Sequence, residues 1–378
     1  MHIGIIGTRG IPNNYGGFEQ CAQYLAEGLV KRGFTVSVYN SHNHPYQKKE
    51  WNGVEIIHVN DPEHKYGTIG QFIYDFNAIQ DTQKRKFDII LQLGYTSSSV
   101  WGRFLPRKKS IVTTNMDGLE WKRSKFSKPV RKYLEYAEGF AVKYSDYLIS
   151  DSLGIQEYLK EKFGKDSVYI AYGAHLFTTP DTSPLPTYNV TPYGYDMLVA
   201  RLEPENSIEM ILDGVVAAKV DRPFLVVGKH ETKYGEFLKA KYQGAPTIRF
   251  VGGIYNIDTL NNIRYYSNVY FHGHTVGGTN PSLLEAMASG ALLCAHENVF
   301  NKYILEKDAL YFTTVSGVVE ALKTVRKEQP VYQQMIQANN DKITRLYNWD
   351  IIIEKYADHF RDIYARKTGK AVSQNKVR

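Results

Sequence analysis

Short apolar runs alternate with helix-length amphipathic stretches along most of this chain, and the alternation stops once and then restarts. Few architectures accept that rhythm. Strands buried on both faces and joined by helices make parallel sheets with helices packed above and below. In the first half, strands are predicted at residues 2–7, 35–39, 54–59, 88–91, 110–113, 147–150 and 168–171. The plainest helix covers 18–31. Cys21, Ala22, Leu25 and Leu29 recur there at helical spacing, Glu19 stands in the first turn, Lys31 in the last, and Gly33 follows. The rhythm breaks at 178–195, where Pro180, Pro184, Pro186 and Pro192 forbid a helix or a central strand. It resumes with strands at 197–200, 224–227, 247–251, 269–272 and 291–295. From about residue 316 the chain reads as helical, ending in a stripe of Ile352, Ile353, Tyr356, Phe360 and Ile363 over 349–366.

Two doubly wound α/β domains are therefore expected, at 1–177 and 196–349, around a linker at 178–195. The helix at about 350–366 is expected to pack back on the first domain. A length of 378 residues is enough for two cores. Such halves face a central cleft, and ligands of these sheets bind at the carboxyl ends of the strands.

Several classes drop out. Two cysteines, Cys21 and Cys294, cannot build a disulfide scaffold or a cysteine zinc cluster, and they fit a reducing compartment. No apolar run approaches the roughly 20 residues of a membrane span. The opening Met-His-Ile-Gly-Ile-Ile-Gly lacks a basic segment and reads as a buried strand, not a signal peptide, so a cytoplasmic protein is expected. Net charge is +7, yet residues 103–132 alone hold ten basic residues against Asp117 and Glu120. That local excess points to an anionic partner or to a solvated face.

Four motifs fall at strand ends. Gly7-Thr8-Arg9-Gly10 follows the first strand, and Gly16-Gly17 opens the helix after it. Glycines admit close backbone approach, and a helix N-terminus offers free N–H groups to an anion. A tight strand–helix connection would use the same residues. Arg201, in Val199-Ala200-Arg201-Leu202-Glu203-Pro204-Glu205-Asn206, ends the first strand of the second half. Its planar fork suits a diphosphate, or equally an ion pair with Glu203 or Glu205.

The longest motif runs from His272 to Gly290. Asn280 and Pro281 are strong helix-start residues and Gly290 a strong stop, so a Gly277-Gly278 loop enters a short helix. Leu283, Leu284, Met287 and Ala288 share its apolar face, and Glu285 falls off it, either solvated or accepting hydrogen bonds from a ribose diol. His272 and His274 lack the further ligands a metal needs, so no metal site is expected; either one of them hydrogen-bonds a ligand in the cleft or both are ordinary satisfied or exposed histidines. Asp117 and Glu120, in Asn115-Met116-Asp117-Gly118-Leu119-Glu120-Trp121-Lys122-Arg123, occupy a strand-end loop or an Asx turn.

Together these stretches resemble the family-4 retaining glycosyltransferases of GT-B fold, two Rossmann-like domains with the active site between them. The likeness covers about residues 1–366. Gly-Thr-Arg-Gly-Ile-Pro, Tyr-Gly-Gly-Phe-Glu and Asn-Met-Asp-Gly-Leu-Glu-Trp-Lys-Arg-Ser-Lys are similar to a bacterial subgroup associated with rhamnosyl transfer in cell-surface polysaccharide synthesis. The resemblance implies that the first domain takes the acceptor and the second the nucleotide sugar. It implies that Gly16 and Gly17 lie against the donor and that Arg201 grips its diphosphate. It implies that Glu285 holds the ribose, and that Gly278, Thr279 and Asn280 meet the sugar and phosphate. Asp117 falls where many members carry a histidine near the reacting sugar. Arg201 and Asp117 are thus the expected catalytic residues. Two positions depart from the pattern: Gly277 replaces a glutamate that contacts the sugar, and Asn206 replaces a diphosphate-binding lysine, whose charge Lys229 could supply.

The implied reaction is hexosyl transfer with retention, of L-rhamnose or another hexose, from a nucleotide-diphosphate sugar to a glycan or lipid-diphosphate-linked acceptor. It needs no cofactor and no metal. A departing phosphate oxygen takes the acceptor proton, so no protein nucleophile is required. Lys122, Arg123 and Lys125 are expected on the acceptor or membrane side, with Trp121, Phe126, Tyr133 and Tyr136 resting on anionic headgroups at the inner membrane face. A sugar-nucleotide epimerase or a non-catalytic nucleotide-sugar-binding subunit would share the fold. Nucleic-acid binding is not expected, because no recognition motif accompanies the basic stretch.

Overall fold

The computed structural model describes residues 1–14, 16–116, 118–123 and 126–369. The chain divides into two units. One holds Met1–Lys122, Lys128–Tyr172 and the chain from Trp349; the other holds Arg123–Ser127 and Gly173–Asn348.

The first unit is built on an eight-stranded sheet of β1 (His2–Ile6), β2 (Thr35–Ser41), β3 (Glu50–Trp51), β4 (Val54–Val59), β5 (Ile89–Leu93), β6 (Ile111–Asn115), β7 (Tyr147–Ser150) and β8 (Val168–Tyr169). The order is β3-β4-β2-β1-β5-β6-β7-β8. All neighbours are parallel except β3 and β4. β1 shows why its residues choose this place: Ile3, Ile5 and Ile6 are all buried, which only a strand covered on both faces allows. The helix Gly17–Lys31 returns over the sheet with Cys21, Ala22, Leu25, Ala26 and Leu29 inward.

The helix Trp349–Thr368 belongs to this unit. Trp349, Ile352, Ile353, Tyr356, Phe360 and Ile363 are buried. Its His359 Nε2 lies 3.0 Å from Thr113 Oγ1, and Asn115 Nδ2 donates to Tyr356 Oη at 3.1 Å. Arg32 Nε donates to Glu354 Oε2 at 2.7 Å, tying it to the end of helix Gly17–Lys31.

The second unit carries β9 (Asp196–Val199), β10 (Phe224–Val227), β11 (Ile248–Gly252), β12 (Tyr270–His272), β13 (Leu293–His296) and β14 (Leu310–Phe312). They are all parallel in the order β11-β10-β9-β12-β13-β14. One core of Leu198, Ile211, Phe224, Phe271, Phe312, Val318 and Leu322 joins sheet to helices. The twelve strands expected from the sequence are present, within about two residues at each end. β3 and β14 were not anticipated, and β3 breaks the all-parallel expectation.

In a doubly wound sheet the binding crevice opens where successive strands change direction across the sheet. That point lies between β1 and β5 in the first unit and between β9 and β12 in the second.

Candidate functional site

In the first unit the crevice is lined by Gly7–Gly10. Gly7 has φ +88°, and a Cβ there would stand 2.3 Å from Leu93 O at the end of β5, so only glycine lets the two strand ends approach. Arg9 N donates to Glu19 Oε1 at 2.9 Å. Burial pushes the Glu19 carboxyl upward, against hydrogen bonds from Arg9 and Gly16. Arg9 also grips Glu63 with both terminal guanidinium nitrogens, Nη1 and Nη2. Gly16 is the extended N-cap residue of helix Gly17–Lys31, and Gly17 is its first residue. A cavity of about 280 Å³ beside the Arg9–Glu63 pair is lined by Arg9, Ser41, Asp61, Glu63 and His64 among others. It is wired in advance: Ser41 Oγ donates to Asp61 Oδ2 at 2.6 Å and Asn43 Nδ2 to Asp61 O at 2.9 Å.

In the second unit two loops lie side by side at the crevice. Arg201, after β9, is exposed. Asn206 Nδ2 donates to Arg201 O at 2.7 Å and closes that loop, so its side chain is turned inward. The partner loop follows β12. A Cβ on Gly273 would sit 2.1 Å from Asn206 O, and Thr275 donates to Glu205 O through Oγ1 at 2.8 Å. The loop then passes Gly277 and Gly278 to Asn280, whose Oδ1 accepts from Ser282 N at 2.9 Å and caps helix Pro281–Ala288.

His272 is 1% exposed, and neither ring nitrogen has a partner. Its ring stacks on His274, with centroids 4.4 Å apart and planes 17° from parallel. Burial holds His272 well below the usual histidine range. His274 is taken down to about 3, first by burial and then by the charges of Arg201 and Arg123. Both imidazoles are therefore neutral at physiological pH.

The structure thus brings Arg201, Gly278, Thr279 and Asn280 to neighbouring loops of one sheet edge. Lys229 follows β10 on the same edge and is exposed. Glu285 sits one turn into its helix, with Oε2 2.9 Å from Arg264 Nη2. Arg264, 1% exposed, is a residue that sequence reasoning missed. Its signal was available, because it shares a helical face with Leu260 and Ile263 and so falls on the apolar side. Glu205 reads from the sequence as a partner for Arg201; in the structure its carboxylate is buried and lies 3.8 Å from Arg123 Nη1.

Gly16 and Gly17 belong to the first unit. Lys122 has its Nζ 5.3 Å from the Trp121 ring centroid and 5.9 Å from that of Tyr158. Asp117 and Lys125 lie outside the described residues. Two aromatics expected at a headgroup surface are turned inward instead. Trp121 Nε1 donates to buried Glu138, and Tyr133 Oη donates to Thr96 O at 2.6 Å. Val130, Lys132, Tyr136, Phe140 and Lys143 are exposed on helix Lys128–Tyr144, together with Lys128, Pro129 and Glu135. Among the described residues, no three His, Cys, Asp or Glu side chains are grouped to hold a metal ion, and no helix is long and apolar enough to cross a membrane.

The profile of a family described as "Domain of unknown function (DUF1972)" matches residues 1–175. No curated protein matches the chain in sequence. Among solved structures it is similar to sucrose-phosphate synthase from Thermosynechococcus elongatus, with TM-score 0.80 and 16% identity, over 97% of this chain and 99% of that one. It is similar to Anabaena HepE in complex with UDP-glucose, with TM-score 0.73 and 13% identity, over 96% and 99%. WaaG, a glycosyltransferase involved in lipopolysaccharide biosynthesis, matches with TM-score 0.70 and 12% identity, over 95% and 99%. The chain has the GT-B fold. At these identities the likeness fixes the two Rossmann-like α/β domains and leaves the chemistry to the site.

Proposed function

We propose that the protein is a retaining, metal-independent glycosyltransferase. It moves a sugar, L-rhamnose or another hexose, from a nucleotide-diphosphate sugar to a glycan or lipid-linked acceptor in cell-surface polysaccharide synthesis. The observation that carries the reading is the second unit's crevice, where exposed Arg201 shares a sheet edge with the Asn280-capped N-terminus of helix Pro281–Ala288. A guanidinium and the positive end of a helix dipole at a switch point suit a diphosphate. Support for a sugar nucleotide comes from the shared fold, since HepE binds UDP-glucose in it.

The chemistry asks for electrostatics. As the anomeric bond breaks, negative charge grows on the diphosphate, and Arg201 with the helix N-terminus stabilises it. Lys229, exposed two strands from β12, adds charge on the same edge in place of inward-turned Asn206. Glu285, fixed by Arg264, is set to accept hydrogen bonds from the ribose. On the acceptor side, exposed Lys132, Tyr136, Phe140 and Lys143 suit an anionic membrane surface.

The test begins with thermal shifts over nucleotide diphosphates and their sugars, because a ligand of the folded state raises its stability. Kinetics then follow with the donor so found. Arg201→Ala should lower kcat by about 10²-fold, as does loss of one oxyanion donor. Glu285→Gln should mainly raise the donor KM. Near-wild-type kinetics in both variants would remove the assignment. Conversion of the donor without any acceptor would instead indicate an epimerase.

A further inference from the structure

The second unit's crevice contains more unpartnered polar groups than gripping a diphosphate explains. Both ring nitrogens of His272, Nδ1 of His274 and both carboxylate oxygens of Glu205 are buried without a hydrogen-bond partner. Leaving such a group unmet is destabilising. Such a cost is expected where a ligand later supplies the partner.

Of these groups, His274 is the one placed to meet a ligand. His272 lies on β12, fully buried, and backs the His274 ring from the sheet side. His274 is partly exposed. Its backbone is pinned: His274 O accepts from Asn298 Nδ2 at 2.9 Å and from Asn301 Nδ2 at 3.1 Å. Stacking behind and two hydrogen bonds below hold the imidazole in place before any ligand arrives. Further along the loop Thr275 Oγ1 already donates to Glu205 O, Val276 is apolar, and Gly277 and Gly278 have no side chains.

We propose that His274 is a specificity-determining residue, whose ring nitrogen hydrogen-bonds a hydroxyl of the transferred sugar while Arg201 holds the diphosphate. The inference rests on the glycosyltransferase reading. The chemistry separates the two roles. Arginine provides charge and several donors, which is what a phosphate needs. A neutral imidazole provides one donor and one acceptor, which is what a hydroxyl needs. Arg201 itself helps to keep His274 neutral, so the cation that binds the phosphate also keeps the imidazole fit to recognise the sugar.

The test compares a nucleotide diphosphate with its sugar-bearing form. Calorimetry on the wild-type protein with UDP, GDP and dTDP, then with UDP-glucose, UDP-N-acetylglucosamine, GDP-mannose and dTDP-L-rhamnose, finds the diphosphate bound and the sugar form bound more tightly. His274→Leu should weaken the sugar form about tenfold, the loss of one buried hydrogen bond, and leave the bare diphosphate within about twofold. His274→Asn, which returns an amide near the Nδ1 position, should recover most of the difference. Arg201→Ala should weaken both ligands. If the leucine variant does not fold, His274→Gln replaces it: its amide sits one bond further out and should lose the sugar preference that asparagine keeps. Equal weakening of diphosphate and sugar form, or no weakening of either, overturns the proposal. A wild-type protein that binds the diphosphate but gains nothing from any sugar overturns this inference alone. One that binds none of the seven compounds overturns the glycosyltransferase reading with it.

Discussion

At the scale of single residues, the tightest constraints lie where backbone meets backbone. Gly273→Ala would drive a Cβ to within 2.1 Å of Asn206 O, a carbonyl that cannot rotate away. The two crevice loops would have to separate. We expect a folded protein whose affinity for the nucleotide diphosphate falls at least tenfold, measured by calorimetry beside its far-ultraviolet circular dichroism; unchanged affinity would mean the crevice is not the binding site. Asp75 is the residue whose titration should be visible. It is buried, accepts from Ser97 Oγ at 2.5 Å, and is pushed up to about 7 by burial, with Arg9 opposing and Asp61 and Glu63 adding to the shift. The folded state therefore holds this proton more tightly than the unfolded chain, whose carboxyl titrates near 3.9. Between about pH 4 and pH 7 the native state binds more protons, so the contribution of this group to stability falls as pH rises. Asp75→Asn should gain on the wild type in urea midpoint from pH 5 to pH 8. An equal shift at both values would show that the carboxyl is not the cause. Arg264 and Asn52 show what the sequence held and what was passed over. Arg264 stands at helical spacing from two apolar residues, and Asn52-Gly53, at φ +47° and +82°, is the two-residue turn of the β3–β4 hairpin. Glu205 carried no such signal, because Pro-Glu-Asn reads as a turn whether or not its carboxylate is buried.

At the scale of elements, periodicity located helices Gly17–Lys31 and Trp349–Thr368 because each buries one stripe, but it said nothing of which neighbour the stripe would meet. Helix Trp349–Thr368 is the instructive case. Its stripe of Ile352, Tyr356, Phe360 and Ile363 was plain in the sequence, whereas its meeting with helix Gly17–Lys31 depends on Gly28, where a Cβ would lie 2.4 Å from Ile353 Cδ1. Two effects compete in Gly28→Ala. Helix propensity favours alanine by about 1 kcal/mol, and overpacking costs about 1–3 kcal/mol. We expect net destabilisation in the wild type and a reversed sign in an Ile353→Ala background, read from a double-mutant cycle of urea midpoints. A stabilising Gly28→Ala in both backgrounds would mean that the helices do not press on each other there. Lys327 does comparable work in the second unit. It is buried, its Nζ donates to Gly290 O at 2.8 Å and to Tyr265 O, and burial takes it down to about 7. Lys327→Met should cost about 1–3 kcal/mol by stranding Gly290 O, just past helix Pro281–Ala288, and Tyr265 O, at the end of helix Ile257–Tyr265. A variant as stable as the wild type would show that these carbonyls find other partners.

At the scale of the whole molecule, charge and connectivity matter most. The basic residues of 103–132 and the outward Tyr136 and Phe140 lead us to expect co-sedimentation with phosphatidylglycerol vesicles at low salt and release at high salt, since exposed charge is screened. Tyr136→Ser with Phe140→Ser should weaken what salt does not. Equal binding to neutral phosphatidylcholine vesicles would defeat the electrostatic account. The sheet order was legible only as an alternation of strands and helices, because which strand lies beside which is decided by pairing across distances that no local pattern records. Connectivity carries a consequence for the making of the protein. The first unit is interrupted: the chain leaves it at Tyr172 and returns at Trp349. On a ribosome adding about 5–20 residues per second, the sheet of the first unit emerges roughly 10–40 s before the helix Trp349–Thr368 that covers it. Thr113, Asn115 and the side of helix Gly17–Lys31 at Gly28 stand open through that interval, while the second unit, whose short segment Arg123–Ser127 is already made when Gly173–Asn348 is translated, can close first. A nascent chain stalled before residue 349 is thus the form most exposed to chaperones and proteases, and the first unit is completed only after the second has left the exit tunnel.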